Sequence, residues 1–339
     1  MTLDLPTDQA DREFHQRSQE YSEAIQKALE IFKSENDPSK ESEWEDAGER
    51  DEVKLYKKTN PENPAEVPIV KGVAIIENAT PSEVLATIQL PGMRKKWDPR
   101  FDEGFQLERY SSKSFLFYSV MKSPSYFIWA RDIVGVQENQ IKKDGDEIVV
   151  IQTSVSADQY VDEAGSYSKS RTRATLDVSC WQLVKDGENC KVEYVVKIHL
   201  NGALPTSIVS TIATETPMCV ARARDVYYTA GHAPYEVGST TSDKEPLTNT
   251  LYAEFVDGDG TEATSGEKAW KAYYLAQGAD KFSIRFDGRR MYSSGAQISV
   301  TGEAASDVKA EVDEATSTVN VEVAEEAKGK KFSLALTPK

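Results

Sequence analysis

The chain has 339 residues, with 40 Lys and Arg against 56 Asp and Glu and a formal net charge of -16. That length exceeds a typical single domain of roughly 100 to 200 residues and leads us to expect two. The acidic balance argues against a large nucleic-acid footprint, and the absence of any run of about 18 apolar residues argues against a bilayer-spanning helix.

The amino-terminal stretch "MTLDLPTDQADREFHQRSQEY" lacks the basic and apolar regions of a signal peptide. The three cysteines, Cys180, Cys190 and Cys219, are an odd count. They suit a reducing compartment and buried free thiols, so a cytosolic protein is expected. From Asp8 to about Ser34, Tyr21, Ile25, Ala28, Leu29 and Phe32 recur at spacings of three and four, the apolar stripe of a helix ended by "NDP". Strand-like segments follow at 52–58, 68–78, 105–110, 114–121, 123–137, 147–155, 171–184 and 191–200. Asp144–Gly145 and Asp186–Gly187 supply hairpin turns, and the second should set Cys190 opposite a residue near Leu183. An antiparallel sheet of consecutive neighbours is the economical arrangement.

Two helical stretches interrupt and close this set. In "TPSEVLATI" Thr80 is the N-cap, Pro81 occupies the first helical position and Glu83 completes a capping box. The segment from Pro205 to about Thr229 reads as a longer helix that Pro217 should bend. Residues 237–246 are polar and aperiodic, which gives a division into residues 1–236, a linker at 237–246 and residues 247–339. In the last part seven short alternating strands separated by Gly, Asp and Ser argue for an antiparallel β-sandwich.

Several stretches of the first part, taken together and in order, carry a resemblance. "MRKKWDPRF" at 93–101, "SPSYFIWARD" at 123–132, "SCWQLV" at 179–184 and "HLNGALPTSIVSTIATETPMCVARARD" at 199–225 resemble segments of the START (StAR-related lipid-transfer) domain, of the helix-grip superfamily. The resemblance spans roughly residues 10–232. Ser125 and Tyr126 replace the family's usual Arg-Asp pair, and His199 stands where an aspartate is usual before the final helix. These departures bear on ligand specificity rather than on fold. The resemblance implies an α+β helix-grip fold in which a curved sheet grips the last helix around a tunnel for one lipid. It implies a gate formed by residues 138–147 and 205–229, and a carrier that shuttles a sterol or phospholipid between membranes, touching them transiently.

Arg131 falls where family members often project a charge into the tunnel. Physically, a guanidinium keeps its charge, so a buried one needs a carboxylate, a phosphate or several oxygens. Alternation puts Phe127, Trp129, Arg131 and Ile133 on one face and Asp132 on the other, where it is a poor partner for Arg131. A ligand head group or tunnel water, a structural ion pair and solvent all stay open as the environment of Arg131. Phe127 and Trp129 are candidates for the tunnel wall, with plain core packing as the alternative; Tyr118, Gln152 and Tyr194 are further lipid-binding candidates. Ile208, Ile212 and Met218 are expected as apolar contacts from the final helix. Lys142, Lys143, Arg222 and Arg224 are candidates for contact with anionic membrane lipids, against the alternative of a solvated face.

Enzyme motifs are absent: there is no Gly-x-Ser-x-Gly, His-Glu-x-x-His or Cys-x-x-Cys, and "DGDGTE" at 257–262 reads as a turn rather than a calcium loop. The expectation is therefore no catalytic residue, no metal and no cofactor. Helix-grip relatives include polyketide aromatase/cyclases, which keeps an enzyme of that kind, or an acyl-processing one, as an alternative. A lipid-sensing protein that docks a partner through its carboxy-terminal β domain is the third class.

Overall fold

The computed structural model describes residues 13–63, 66–123, 128–142, 145–157, 160, 171–202, 204–238, 248–256 and 268–339. By internal contacts the chain divides into two units, whose described residues fall within 15–84 and 97–225 for the first and within 13–14, 85–96 and 226–339 for the second.

The first unit is built on one large sheet, which neighbouring strands cross in the order β1-β2-β3-β10-β9-β7-β6-β5-β4. These strands are β1 (Glu45–Arg50), β2 (Val53–Lys58), β3 (Ile69–Ile76), β4 (Phe101–Ser111), β5 (Ser114–Met121), β6 (Ala130–Ile141), β7 (Glu147–Ser154), β9 (Thr175–Asp186) and β10 (Asn189–His199). Along this path every pairing is antiparallel; short β8 (Arg171–Arg173) adds to β6 in parallel. The expected strand at 171–184 is thus two, separated at Ala174. The strand expected over 123–137 is displaced to 130–141, and β1 is an addition that no apolar pattern announces.

Helix α1 (Gln19–Glu35) is the expected amphipathic one: Ser18 caps it by accepting from the Tyr21 N–H, and Tyr21, Ile25, Ala28, Leu29 and Phe32 are its buried residues. They share one apolar cluster with Leu116, Tyr118 and Val120 of β5, Val134 and Val136 of β6, Ile151 of β7, Val178 and Cys180 of β9, and Val195 of β10. Strand alternation therefore assigns those side chains to the α1 face and their odd or even neighbours to the opposite, concave face. The cysteines are free and buried. Cys180 belongs to the α1 face, and Cys190 pairs with Lys185, two residues from the expected partner.

Helix α2 (Pro81–Ile88) starts with the expected capping box, the Thr80 N–H donating to Glu83 at 2.8 Å and the Glu83 N–H donating back to the Thr80 hydroxyl at 3.3 Å. A short α3 (Pro91–Trp97) follows. The final helical segment breaks where the proline stands, into α4 (Thr206–Glu215) and α5 (Cys219–Ala230). Its break lies on the concave face: a Cβ added at Gly72 of β3 would meet the Pro217 carbonyl oxygen at 2.6 Å.

The second unit contains the seven expected strands plus one more. One sheet runs β11-β14-β17-β16 and the other β12-β13-β18-β15. Here β11 is Tyr235–Val237, β12 Thr248–Val256, β13 Ala269–Ala276, β14 Asp280–Arg285, β15 Ala296–Gly302, β16 Val308–Asp313, β17 Thr318–Val323 and β18 Lys331–Pro338. Tyr274 of β13 meets Phe282 of β14 at 5.5 Å and Phe332 of β18 at 5.1 Å between ring centroids, so the two sheets share one core. Met93 of α3 belongs to that core, and Gly92 lies against Phe255 so closely that a Cβ would sit 1.7 Å from its carbonyl oxygen.

Gly72 therefore has no room for a side chain. We expect Gly72→Val to destabilise the first unit by about 2 kcal/mol through overpacking against the Pro217 backbone. Urea unfolding of the full chain checks this, and an unchanged midpoint would show that the final helix does not rest on β3.

Candidate functional site

On the concave face the register joins residues across strands into rows. Ser119 of β5 opposes Ile133 of β6, and Phe117 opposes Gly135. Phe115 opposes Gln137, Gln137 opposes Gln152 of β7, and Gln152 opposes Ser179 of β9. One step along, Asn139 opposes Val150, Val150 opposes Trp181, and Trp181 opposes Tyr194 of β10. The face thus has an aromatic and aliphatic floor crossed by uncharged polar side chains. Trp181 stacks on Tyr194 at 4.1 Å and meets Trp97 edge-on at 5.6 Å. Gln152 Nε2 donates to Gln137 Oε1 at 2.6 Å, and Gln137 Nε2 donates to Asn139 Oδ1 at 2.9 Å. The Ser119 hydroxyl is buried with no hydrogen-bond partner among the described residues.

Gln152 and Tyr194, both expected at the site, do share this face. Gln137, Asn139, Ser119 and Ser179 were missed, although Gln137 and Asn139 have the same odd parity as Arg131. That parity is a signal the sequence offers once β6 is placed.

Arg131 also lies on the concave face and is only 5% exposed, and each of its three side-chain nitrogens already donates to a backbone carbonyl. Nε donates to the Leu200 carbonyl at 3.2 Å, Nη2 to the Asn201 carbonyl at 3.0 Å, and Nη1 to the Trp129 carbonyl. Burial lowers the guanidinium from its ordinary value, and no carboxylate among the described residues pairs with it. Asp132 lies on the other face, as alternation requires. It accepts from Arg173 Nε at 2.8 Å and from the Tyr118 hydroxyl at 2.8 Å. Burial, then the Asp132 carboxylate, push the Tyr118 phenol upward.

Three expectations about individual residues are corrected by these positions. Tyr118 packs under α1 and not on the concave face, because it is two residues from both Leu116 and Val120 on the α1 side of β5. Trp129 is 59% exposed rather than part of a wall, because β6 begins only at Ala130 and the alternation does not extend back to it. Arg224 is not a solvated surface charge: it is buried and paired with Glu52 at 3.1 Å and Asp225 at 3.0 Å. Of the stretch 138–147, residues 138–141 belong to β6 and Glu147 to β7, with Gln140 and Ile141 paired to Val149 and Ile148.

Arg222 is half-buried and paired with Glu215, and Lys142 is exposed and paired with Glu147. Phe127 and Lys143 lie outside the described residues. Of the final-helix residues, Ile208 and Ile212 are half-buried and Met218 is fully buried at the break. Arg100 holds that break, with Nη1 donating to the Thr216 hydroxyl at 2.8 Å and Nη2 reaching the Cys219 sulfur at 3.6 Å. Among the described residues no group of His, Cys, Asp and Glu could hold a metal ion, and no helix is long and apolar enough to cross a membrane.

Three carbonyls make Arg131 a tie on the turn that leads into α4. We expect Arg131→Leu to cost about 2 kcal/mol of stability, the scale of buried hydrogen bonds to a charged group. Thermal melting of the full chain measures it, and an unaltered melting temperature would free Arg131 from this structural role.

The family model described as START domain matches residues 25–225. Human StAR-related lipid transfer protein 5 is similar in fold, with a TM-score of 0.51 at 17% identity over 60% of this chain and 94% of its own. Human STARD10 matches with a TM-score of 0.49 at 16% identity, over 64% of this chain and 83% of its own. A STAR-related lipid transfer protein from Xanthomonas axonopodis matches with a TM-score of 0.46 at 19% identity, over 55% of this chain and 99% of its own. No curated protein matches the chain.

Proposed function

Since the chain belongs to the START domain family, we propose that its first unit binds one lipid molecule, a sterol or a phospholipid, against the concave face of the sheet and carries it between membranes. The observation that carries this reading is a difference between the two faces at one point. Ile151, on the α1 face of β7, is 0% exposed. Its neighbour Gln152, on the concave face of the same interior strand, is only half-buried. At the middle of the ten-stranded sheet the α1 side is closed, while the other side leaves a polar side chain partly uncovered. Trp181, Tyr194, Ile133 and Phe117, all buried, supply apolar neighbours on this face, and a lipid chain that enters beside them gains roughly 0.8 kcal/mol for each methylene it buries.

In this reading the lipid lies between the sheet and the broken final helix, with Ile208, Ile212 and Met218 as its contacts on that side. Arg131 fixes the approach to α4 and does not hold the head group. Brief membrane contact would draw on Lys142 and Arg222, whose pairings with Glu147 and Glu215 compete with anionic lipid. The protein works in an aqueous compartment, and no catalytic group is assigned to the concave face.

Native mass spectrometry of the purified full chain tests the proposal. A mass increment of a single lipid, or its acquisition from vesicles, is expected. A chain that carries none and takes up none would end the lipid-carrier reading.

A further inference from the structure

The three amides on the concave face form a hydrogen-bonded chain with a direction. Gln137 uses its nitrogen on Asn139 Oδ1 and its oxygen on Gln152 Nε2. Gln137 and Asn139 are both buried, so turning the Gln137 amide over would set donor against donor without water to relieve it. Gln152 is the end of this chain. One of its N–H groups is spent on Gln137, and its Oε1 and remaining N–H have no partner among the described residues. It is also the half-buried member, in the interior of the sheet. What Gln152 presents to the concave side is therefore one acceptor and one donor.

The side chains beside that pair in the sheet are uncharged. Its row neighbours are Gln137 and Ser179, and the adjacent row is Asn139, Val150, Trp181 and Tyr194. The cations of this face are engaged by other groups of the protein. Arg100, near enough to Tyr194 to interact with it electrostatically, meets Thr216, Cys219 and Asp98. Arg109, which opposes Phe115, donates to Gln106 Oε1 and to the Ser111 and Ser112 carbonyls. Arg131 is six residues before Gln137, about 20 Å along an extended strand, and is held by its three carbonyls. A phosphodiester carries no proton at neutral pH and so has no donor for Gln152 Oε1, and Arg100, the arginine by Tyr194, already has its partners within the protein. A hydroxyl or an amide N–H meets that oxygen as a donor, and a hydroxyl can accept from the free N–H as well.

The geometry points to a subsite at Gln152, oriented by Gln137 and Asn139, for the uncharged hydroxyl- or amide-bearing end of a lipid. This rests on the lipid-binding reading and narrows it, taking the neutral class over the phospholipids.

The test loads the full chain from phosphatidylcholine vesicles containing equal fractions of a sterol, a diacylglycerol and a phosphatidylserine. The protein is then re-isolated and its lipid quantified by mass spectrometry. One hydroxyl lipid should be retained at least about tenfold over both phospholipids, and its methyl ether should load about tenfold less, the scale of one buried hydrogen bond. Which of the sterol and the diacylglycerol is retained identifies the skeleton. Gln152→Met should abolish the difference between hydroxyl and ether loading. Equal loading of hydroxyl and ether by the parent would overturn the subsite, as would a preference that survives in Gln152→Met. Retention of phospholipid as well as or better than the hydroxyl lipids would overturn the subsite and leave lipid carriage standing. No uptake of any lipid would overturn both. If Gln152→Met fails to fold, the comparison of hydroxyl with ether in the parent decides.

Discussion

Unbroken pairing from β5 through β6, β7 and β9 to β10 and β3 allows each side chain of those strands only one of two faces, and α1 claims the first of them. Val134, Val136, Ile151, Val178, Cys180 and Val195 are packed beneath that helix to 1% exposure or less. Burying each large apolar group is worth roughly 1.5 to 3 kcal/mol. A slip of one residue would send all of them to the concave side and bring Arg131, Gln137 and Gln152 under α1. The apolar face therefore locks the register, and the polar content of the opposite face follows from it.

The adjacent pair Arg131 and Asp132 shows how the pleat separates charges that sequence places side by side. Asp132 is buried on the α1 side, where Arg173 and the Tyr118 hydroxyl replace the water it loses. Removing those partners would leave a buried carboxylate uncompensated, a cost of several kcal/mol. Arg131, sent the other way, finds only carbonyl oxygens. Those of Leu200 and Asn201 belong to a turn in which Asn201 and Gly202 both have positive φ, 51° and 74°. The guanidinium thus steadies a left-handed stretch of backbone, which Asn and Gly tolerate best. The same final segment is fixed again at Thr216 and Cys219 by Arg100, and at Pro217 by its contact with Gly72.

What the sequence made legible was local. The α1 stripe, the Thr80–Glu83 box, the break at Pro217 and the seven strands after residue 247 each depend on residues within a few positions of one another. What escaped it was set at a distance. β1 is exposed along its length, with Ala47 and Gly48 its only uncharged residues, and exists because Val53, Lys54, Tyr56 and Lys57 of β2 pair with it. Met93 and Gly92 read as part of the first unit, but their partner Phe255 lies in the strand β12 of the second. The amide chain needed the register of β6 against β7, and a strand start misplaced from 130 to 123 hid it. The same misplacement put Trp129 on a wall it does not form. The odd-residue alternation was still right for Arg131, because that residue lies inside the true strand.

The break in the last helix also divides it by how firmly it is held. In α4 only Val209 is buried, and Thr206, Ser207, Ser210 and Thr211 are exposed. Beyond the break Cys219, Val220, Ala221, Ala223 and Arg224 are all buried. Local opening follows the number of buried contacts that must be given up. The half-turn at Thr216 to Met218 is pinned by Arg100 and Gly72, so α4 can give way without carrying α5 with it. Its other end hangs on the carbonyls that Arg131 holds. If a lipid must pass between helix and sheet, the least costly route is under α4, with Arg131 as the fastening released first. The charge on Arg131 then serves the movement of the helix, and the neutral amides deeper on the face are left to recognise what has entered.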